Sequence, residues 1–363
     1  MTLATPERAG GGRTKLATID CDIHNYLPSD TTLRKYLSER WCRYLDHFAG
    51  RVFHGLYYPL ASQHAARTDA WPPSGLIPGS DLSFMQEQLL NRWDLEYGIL
   101  LPLLGAGKQL NLEWGAAMSH AANDWQAAEW LDLEPRLRGS IVVTYEAPDL
   151  AVAEIHDRAK DKRFVQVELE SRTHEPLGRR KYWPIYEAAA EHGLPIGMHF
   201  GAQGGWPITG VGSPSFYIEY HTGQAQSFQD QVISLVTEGV FERFPTLKFV
   251  LIEGGFGWLP PVMWRLDRAH ARLKEEVPHL RRLPSEYIRE HFWLTTQPIE
   301  EPHDPADFAV LLDDLGMDDH IMFSTDYPHW DFDAPDAAIP TGLDPERRRK
   351  IMSENARALY RFE

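Results

Sequence analysis

Four apolar runs of this chain each stop on side chains that bind metals, and that repetition constrains the fold more than any other feature. LKFVLIEGGFG (247–257) is an apolar run ending in Glu253 and two glycines, the pattern of a buried strand reaching a loop. A carboxylate at that point is costly unless it is paired, hydrogen-bonded or bound to a metal. LPIGMHF (194–200) carries His199 near its end, and DHIMFSTDYPH (319–329) ends in Asp326 and His329. LATIDCDIH (16–24) finishes with Asp20, Asp22 and His24. Ligand chemistry at the ends of several strands points to one site at the shared rim of a barrel.

The rest of the chain supplies the other strands. Strand patterns occur at 16–22, 97–104, 137–144, 164–169, 194–200, 247–253, 292–296 and 321–325, and helical patterns at 84–96, 111–131, 150–160, 180–192, 218–244 and 259–276. Eight strands alternating with helices predict an α/β fold, a (β/α)8 TIM barrel. Residues 25–83 fit no barrel element. Their aromatic pieces (WCRYLDHF, VFHGLYYPL) and turn-rich WPPSGLIPGSD read as an insertion after strand 1 that forms a lid or pocket wall. His47, His54 and His64 within it read as packed or exposed rather than catalytic. Residues 1–14 read as a disordered tail, and 15–363 as one metal-dependent barrel domain. The loop 201–215 (GAQGGWPITGVGSPS) is expected at the substrate mouth.

Net charge is −16, from 36 basic and 52 acidic residues. That excludes nucleic acid and an anionic membrane surface as natural partners. The two cysteines, Cys21 and Cys42, form no CxxC pair, so no thiolate zinc site is indicated. With no apolar signal core or long apolar run, the expected location is cytoplasmic.

Period-two alternation along strand 1 points Asp20, Asp22 and His24 one way and Cys21 and Ile23 the other. Asp22 and His24 are therefore expected to reach one ion, with Asp20 a support behind them. Glu253 and Asp326 are each a ligand or a general base, and His329 a ligand or a neighbour of one. The expected metal set is Asp22, His24, His199, Glu253, Asp326 and His329, with catalytic roles for Glu253, Asp326 and His329. Six donors, three of them carboxylates, suit iron, manganese or zinc, and their number suits two ions sharing carboxylates. Among lesser candidates, Gln297 points to the rim, and Glu300 and Glu301 begin a helix. His221 is structural, and Arg179, Arg180 and Lys181 form a solvated basic face.

The segments DCDIHN, GMHFG, PTLKFVLIEGGFGWLP, FSTDYPH and SENARALYRF resemble the amidohydrolase-2 branch of the amidohydrolase superfamily. The resemblance implies a metal-dependent TIM barrel of hydrolases and non-oxidative decarboxylases. Asp22 stands where that pattern has the first histidine of His-x-His, and Glu253 where it has the histidine after strand 6. The altered set resembles a sub-branch with a TIM-barrel nonheme di-iron monooxygenase of platensimycin and platencin biosynthesis. That likeness implies two iron ions (Fe), dioxygen and an external electron donor. It implies hydroxylation of an unactivated C–H in a CoA-linked, acyl-CoA-type substrate, by analogy a diterpenoid, in antibiotic biosynthesis, and a homodimer. The alternative reading is a mononuclear zinc (Zn) or manganese (Mn) hydrolase or non-oxidative decarboxylase.

Overall fold

A computed structural model describes residues 16–48, 62–201 and 211–362. The expected tail, His54 and most of the loop 201–215 lie outside the described residues.

Eight strands follow one another in chain order: β1 Ile19–Ile23, β2 Tyr97–Leu100, β3 Leu137–Val142, β4 Phe164–Glu170, β5 Ile196–His199, β6 Phe249–Ile252, β7 Phe292–Thr295 and β8 Ile321–Met322. Each pairs in parallel with the next in one sheet. These segments are apolar and β-branched, and almost every residue in them is buried, as strands covered on both faces require. The seam between β8 and β1 is closed by single bonds. Cys21 N–H donates to the Phe323 carbonyl (3.0 Å), Asp326 N–H to the Asp22 carbonyl (3.1 Å) and His24 N–H to the Tyr327 carbonyl (2.8 Å). The architecture is the amidohydrolase-like TIM barrel expected.

Inside the barrel, Ile19, Cys21, Ile99, Val250, Trp293 and Met322 share one apolar cluster with Tyr360. Residues from so many strands can meet only on the barrel axis. Tyr360 O–H donates to Gln166 Oε1 (2.8 Å), so the C-terminal helix plugs the barrel floor. The larger cluster, which holds Ile23, Leu100, Met198 and Leu251, packs between sheet and helices.

Strict alternation fails along β1. Its pairing with β2 shifts between Asp20 and Ile23, and this bulge sends Cys21 to the inner cluster while Ile23 joins the outer one. The two do not share a face as the sequence pattern predicts, because a bulge resets the period.

The helix expected over 218–244 is three pieces, Tyr217–Thr222, Ala225–Thr237 and Val240–Arg243. Glycines interrupt it, and Gly239 takes φ +79°, which ends a helix cheaply. Two further helices, Pro284–His291 and Ala306–Leu315, flank β7. Their apolar spacing is short, and capping does the rest: the Glu286 side chain accepts from Leu283 N–H (2.8 Å). No helix among the described residues is long and apolar enough to cross a membrane.

The described part of 25–83 is stitched to the loop after β8. Arg67 N–H donates to the Pro328 carbonyl (2.9 Å) and Trp330 N–H to the Ala65 carbonyl (2.8 Å). Tyr26 N–H donates to the Gly79 carbonyl (3.0 Å). A Cβ on Gly79 would lie 2.6 Å from the His24 carbonyl oxygen, and its φ is +74°. Gly75, at φ +79°, has nothing within 4 Å of the same position. Both glycine-to-alanine changes incur the left-handed cost of about 1–2 kcal/mol. Gly79→Ala must also move backbone, so chemical denaturation is expected to show it losing clearly more stability than Gly75→Ala. Equal losses would show that the approach at His24 is not tight.

Candidate metal centre

The strand-end residues singled out from the sequence converge. Asp22, His24, His199 and Glu253 each offer a ligand atom, and these atoms lie within 4.8 Å of one another; His24, Asp326 and His329 form a second such group that shares His24. All but His329 are buried. Asp22 comes from β1, His24 from just past it, and His199 ends β5.

Backbone geometry places two of the acids. Glu253 and Asp326 follow β6 and β8 in the left-handed region, at φ +60° and +58°, where an acid with a Cβ is strained. Each turns out of its strand direction at that residue. Glu253 N–H donates to Thr295 Oγ1 (3.2 Å), and Gln224 Nε2–H donates to Glu253 Oε1 (3.1 Å). The glycine-rich loop after Glu253 is held by Glu300, whose Oε1 accepts from Phe256 N–H (2.6 Å) and from Gly257 N–H. Glu300 therefore braces this loop and does not begin a helix, which starts only at Ala306.

Both central histidines are oriented from behind. A carbonyl only accepts, so His24 Nδ1–H donates to the Leu101 carbonyl (2.8 Å) and His199 Nδ1–H to the Phe200 carbonyl (2.6 Å). Each ring thus presents Nε2 to the centre. His24 Nε2 lies 2.8 Å from Asp326 Oδ1 and 3.4 Å from Asp22 Oδ1. His199 Nε2 lies 3.0 Å from Glu253 Oε2 and 3.7 Å from Asp22 Oδ2. His329 turns both nitrogens to protein partners, Nδ1 to Asp326 Oδ1 (2.6 Å) and Nε2 to the Tyr26 hydroxyl (2.8 Å).

Asp20 lies behind the cluster. Its carboxylate accepts from Asp22 N–H (3.1 Å), Thr325 N–H (3.0 Å) and Thr325 Oγ1–H (2.6 Å). Burial lifts its pKa to about 7 even against these bonds. Burial also pushes the Asp22 carboxyl well above its ordinary range, with Asp326 and Glu253 adding to the rise and His24 opposing it. Burial works against a charged His24 ring, yet Asp22 and Asp326 overcome it and raise the imidazole to about 10. For Asp326 burial is outweighed by His329 and His24, which hold it below the usual carboxylate range.

The chemistry of this constellation fits a cation. Both Asp22 oxygens, His199 Nε2 and Asp326 Oδ2 are buried without a hydrogen-bond partner among the described residues. Unpaired buried donor atoms of this kind are otherwise expensive, and nitrogen and oxygen donors without thiolate suit manganese or zinc.

Other candidates have different places. Gln297 Nε2–H donates to Asp331 Oδ2 (2.9 Å), while His221 Nε2 lies 2.9 Å from the same atom. Lys181 pairs with the buried Glu146, so it does not join Arg179 and Arg180 in one solvated face. Glu301, His47 and His64 are exposed. Sequence reasoning passed over Tyr26 and the inner face of β4, where Gln166, Glu168 and Glu170 recur at period two. That polar alternation in an otherwise apolar strand was the available signal.

The family model described as Amidohydrolase matches residues 19–362. This chain belongs to the amidohydrolase family. A curated relative, the gamma-resorcylate decarboxylase of Polaromonas sp. (strain JS666 / ATCC BAA-500), is 28% identical over 331 residues, spanning 84% of this chain and 98% of the relative. The same architecture occurs in 5-carboxyvanillate decarboxylase from Novosphingobium aromaticivorans DSM 12444, solved with manganese and 4-hydroxy-3-methoxy-5-nitrobenzoic acid. Its TM-score is 0.72 at 18% identity, covering 97% of this chain and 98% of that one. A dihydroxybenzoic acid decarboxylase from Polaromonas sp. JS666, solved with manganese and 2-nitroresorcinol, matches with a TM-score of 0.66 at 20% identity, covering 95% and 97%.

These findings overturn the expectation of a nonheme di-iron monooxygenase. The relatives are decarboxylases, and the homologous structures hold manganese. An oxidoreductase acting on a CoA-linked substrate, and an iron pair, conflict with that; the alternative reading is the one the relatives favour. The count of six donors suggested two ions, but one of the six, His329, is engaged by Asp326 and Tyr26.

Adding manganese to metal-free protein is expected to release protons, because Asp22 and His24 hold protons that the ion must displace. Apparent affinity should therefore rise with pH across the range below about 10 at which His24 titrates. Calorimetry in two buffers of different ionisation enthalpy measures the protons released; identical heats would show that the donors are already bare.

Proposed function

We propose that this chain is a metal-dependent, non-oxidative decarboxylase of a hydroxylated aromatic carboxylic acid. What carries the reading is the set of buried, unpartnered nitrogen and oxygen atoms at the strand ends, in a chain related along most of its length to gamma-resorcylate decarboxylase.

Asp22, His24 and His199 would hold the ion, with Glu253 and Asp326 on either side of it. Manganese suits this mixture of imidazole and carboxylate, and when bound it supplies a positive charge that fixes and polarises a carboxylate substrate. His199 and His24 keep their Nε2 lone pairs inward because backbone carbonyls hold Nδ1. Glu253, steadied by Gln224 and Thr295, sets its Oε2 3.0 Å from His199 Nε2.

Asp326 is placed to carry the proton. Its Oδ1 is shared by His24 and His329, and its Oδ2 has no partner among the described residues. In the reaction the ring-to-carboxyl bond breaks, its electron pair stays on the ring carbon, and carbon dioxide leaves. Asp326, ionised at rest beside His24 and His329, takes up one proton through His329 and passes it to that carbon. The contact Asp326–His329–Tyr26 leads toward the segment after β1 and can reload Asp326. Nothing is oxidised, so no dioxygen or electron donor is needed. The described residues of 25–83 would form one wall of the mouth, since Tyr26 lies among them and residues 65–67 are bonded to the β8 loop.

The test is anaerobic incubation of the manganese-loaded protein with gamma-resorcylate (2,6-dihydroxybenzoate) and other hydroxybenzoates. Carbon dioxide and the decarboxylated phenol should form in equal amounts, with one solvent deuteron on the vacated ring carbon in deuterium oxide. A requirement for oxygen, or no release from any hydroxybenzoate, would remove the reading. Asp326→Asn should lower kcat on the order of 10²–10⁴-fold, the usual worth of a positioned acid–base group. Near-normal turnover in that variant would assign the proton to another group.

A further inference from the structure

The inner face of β4 carries buried polar groups that the proposed reaction leaves unused. Gln166, Glu168 and Glu170 alternate along the strand. Gln166 is tied to the floor through Tyr360, and Glu170 stands in register with His199 of β5. Neighbouring strands lie about 4.8 Å apart, so the Glu170 backbone runs one strand spacing from that of His199, a residue of the metal centre. Lys108, in the loop after β2, forms an ion pair with Glu170, both side chains being largely buried (13% and 7% exposed). Tyr145, past the end of β3, lays its ring against Gly107, where an added Cβ would collide with it.

Within this group the Tyr145 hydroxyl and Glu168 Oε2 are buried without a hydrogen-bond partner among the described residues. Buried hydroxyl and carboxyl atoms are seldom left so; Glu168 is near enough to His24 to feel its charge, and Tyr145 to feel those of Glu168 and Glu170. Arg172, the other cation nearby, stacks over Phe200 at 4.7 Å. Burial, with Glu170 beside it, raises Glu168 to about 8, so near neutrality it can donate a hydrogen bond. The cluster thus offers donors in Glu168 and Tyr145 and an acceptor in Glu170. That is the complement of a hydroxyl, which both donates and accepts.

We propose that Tyr145, Glu168 and the Lys108–Glu170 pair form a specificity subsite for a ring hydroxyl of the substrate, on the β3–β4 side of the metal centre. The proposal rests on the decarboxylase reading and names the substituent that the site selects. A site built to bond a hydroxyl discriminates strongly against the analogue without it, because its own polar groups are left bare.

The experiment measures binding of 2-hydroxybenzoate and of its four singly hydroxylated ring derivatives to manganese-loaded protein by calorimetry. At least one dihydroxybenzoate should bind about tenfold or more tightly than 2-hydroxybenzoate. In Tyr145→Phe and, separately, in Glu170→Gln, that ratio should fall toward one. Each variant is checked for manganese content and thermal unfolding, and Tyr145→Phe keeps the ring packed on Gly107. A ratio near one in the unaltered protein, or a ratio that survives both substitutions, overturns the subsite and leaves the decarboxylase reading standing. If no hydroxybenzoate binds the unaltered protein at all, the decarboxylase reading fails and the subsite falls with it.

Discussion

A buried carboxylate closes this barrel. β8 is only two residues long, too short to seal the sheet by a full ladder, and Asp20 takes over. It binds the Thr325 amide and hydroxyl from the β8 side and the Asp22 amide from β1. Three donors on one buried acid are worth more than the separate neutral bonds they replace. The same clip sets the positions of Asp22, two residues along one strand, and Asp326, next to Thr325 on the other. The seam and the site are therefore one construction, and loosening the first displaces the second.

The density of acid beyond that clip suits the cluster to a cation. Asp22, Glu253 and Asp326 crowd around two imidazoles, and taking a lone carboxylate out of water costs several kcal/mol. Two like charges about 4 Å apart add about 4 kcal/mol at the effective dielectric of a protein site. Without an ion, protons must do the neutralising, which is why Asp22 and His24 are both driven to hold them. A divalent cation satisfies all of these groups at once. The related decarboxylase structures with manganese agree with that balance.

Much of this was legible in residues. The four ligand-ending strands announced a barrel rim because the apolar runs are short, β-branched and cut off by glycine or proline, and the residues named there do converge. What escaped was of two kinds. Departures from periodicity were invisible: the β1 bulge, and the left-handed turns at Glu253 and Asp326, are decided by long-range closure rather than by local preference. Partnership was also invisible. Nothing near Glu300 in the chain reveals that it braces the loop after β6, nor does anything near Lys108 reveal Glu170, 62 positions later in the numbering. The chemistry went astray for a related reason. A count of donors does not distinguish a histidine that binds metal from one, like His329, held by its neighbours.

The Tyr360 plug has a consequence for traffic. Its ring lies among the inner apolar side chains with its hydroxyl on Gln166, and Phe362 stacks on Tyr97 at the first residue of β2, so these side chains fill the base of the barrel. A molecule held above this floor cannot drain through it, so its coming and going belong to the rim where the strands end.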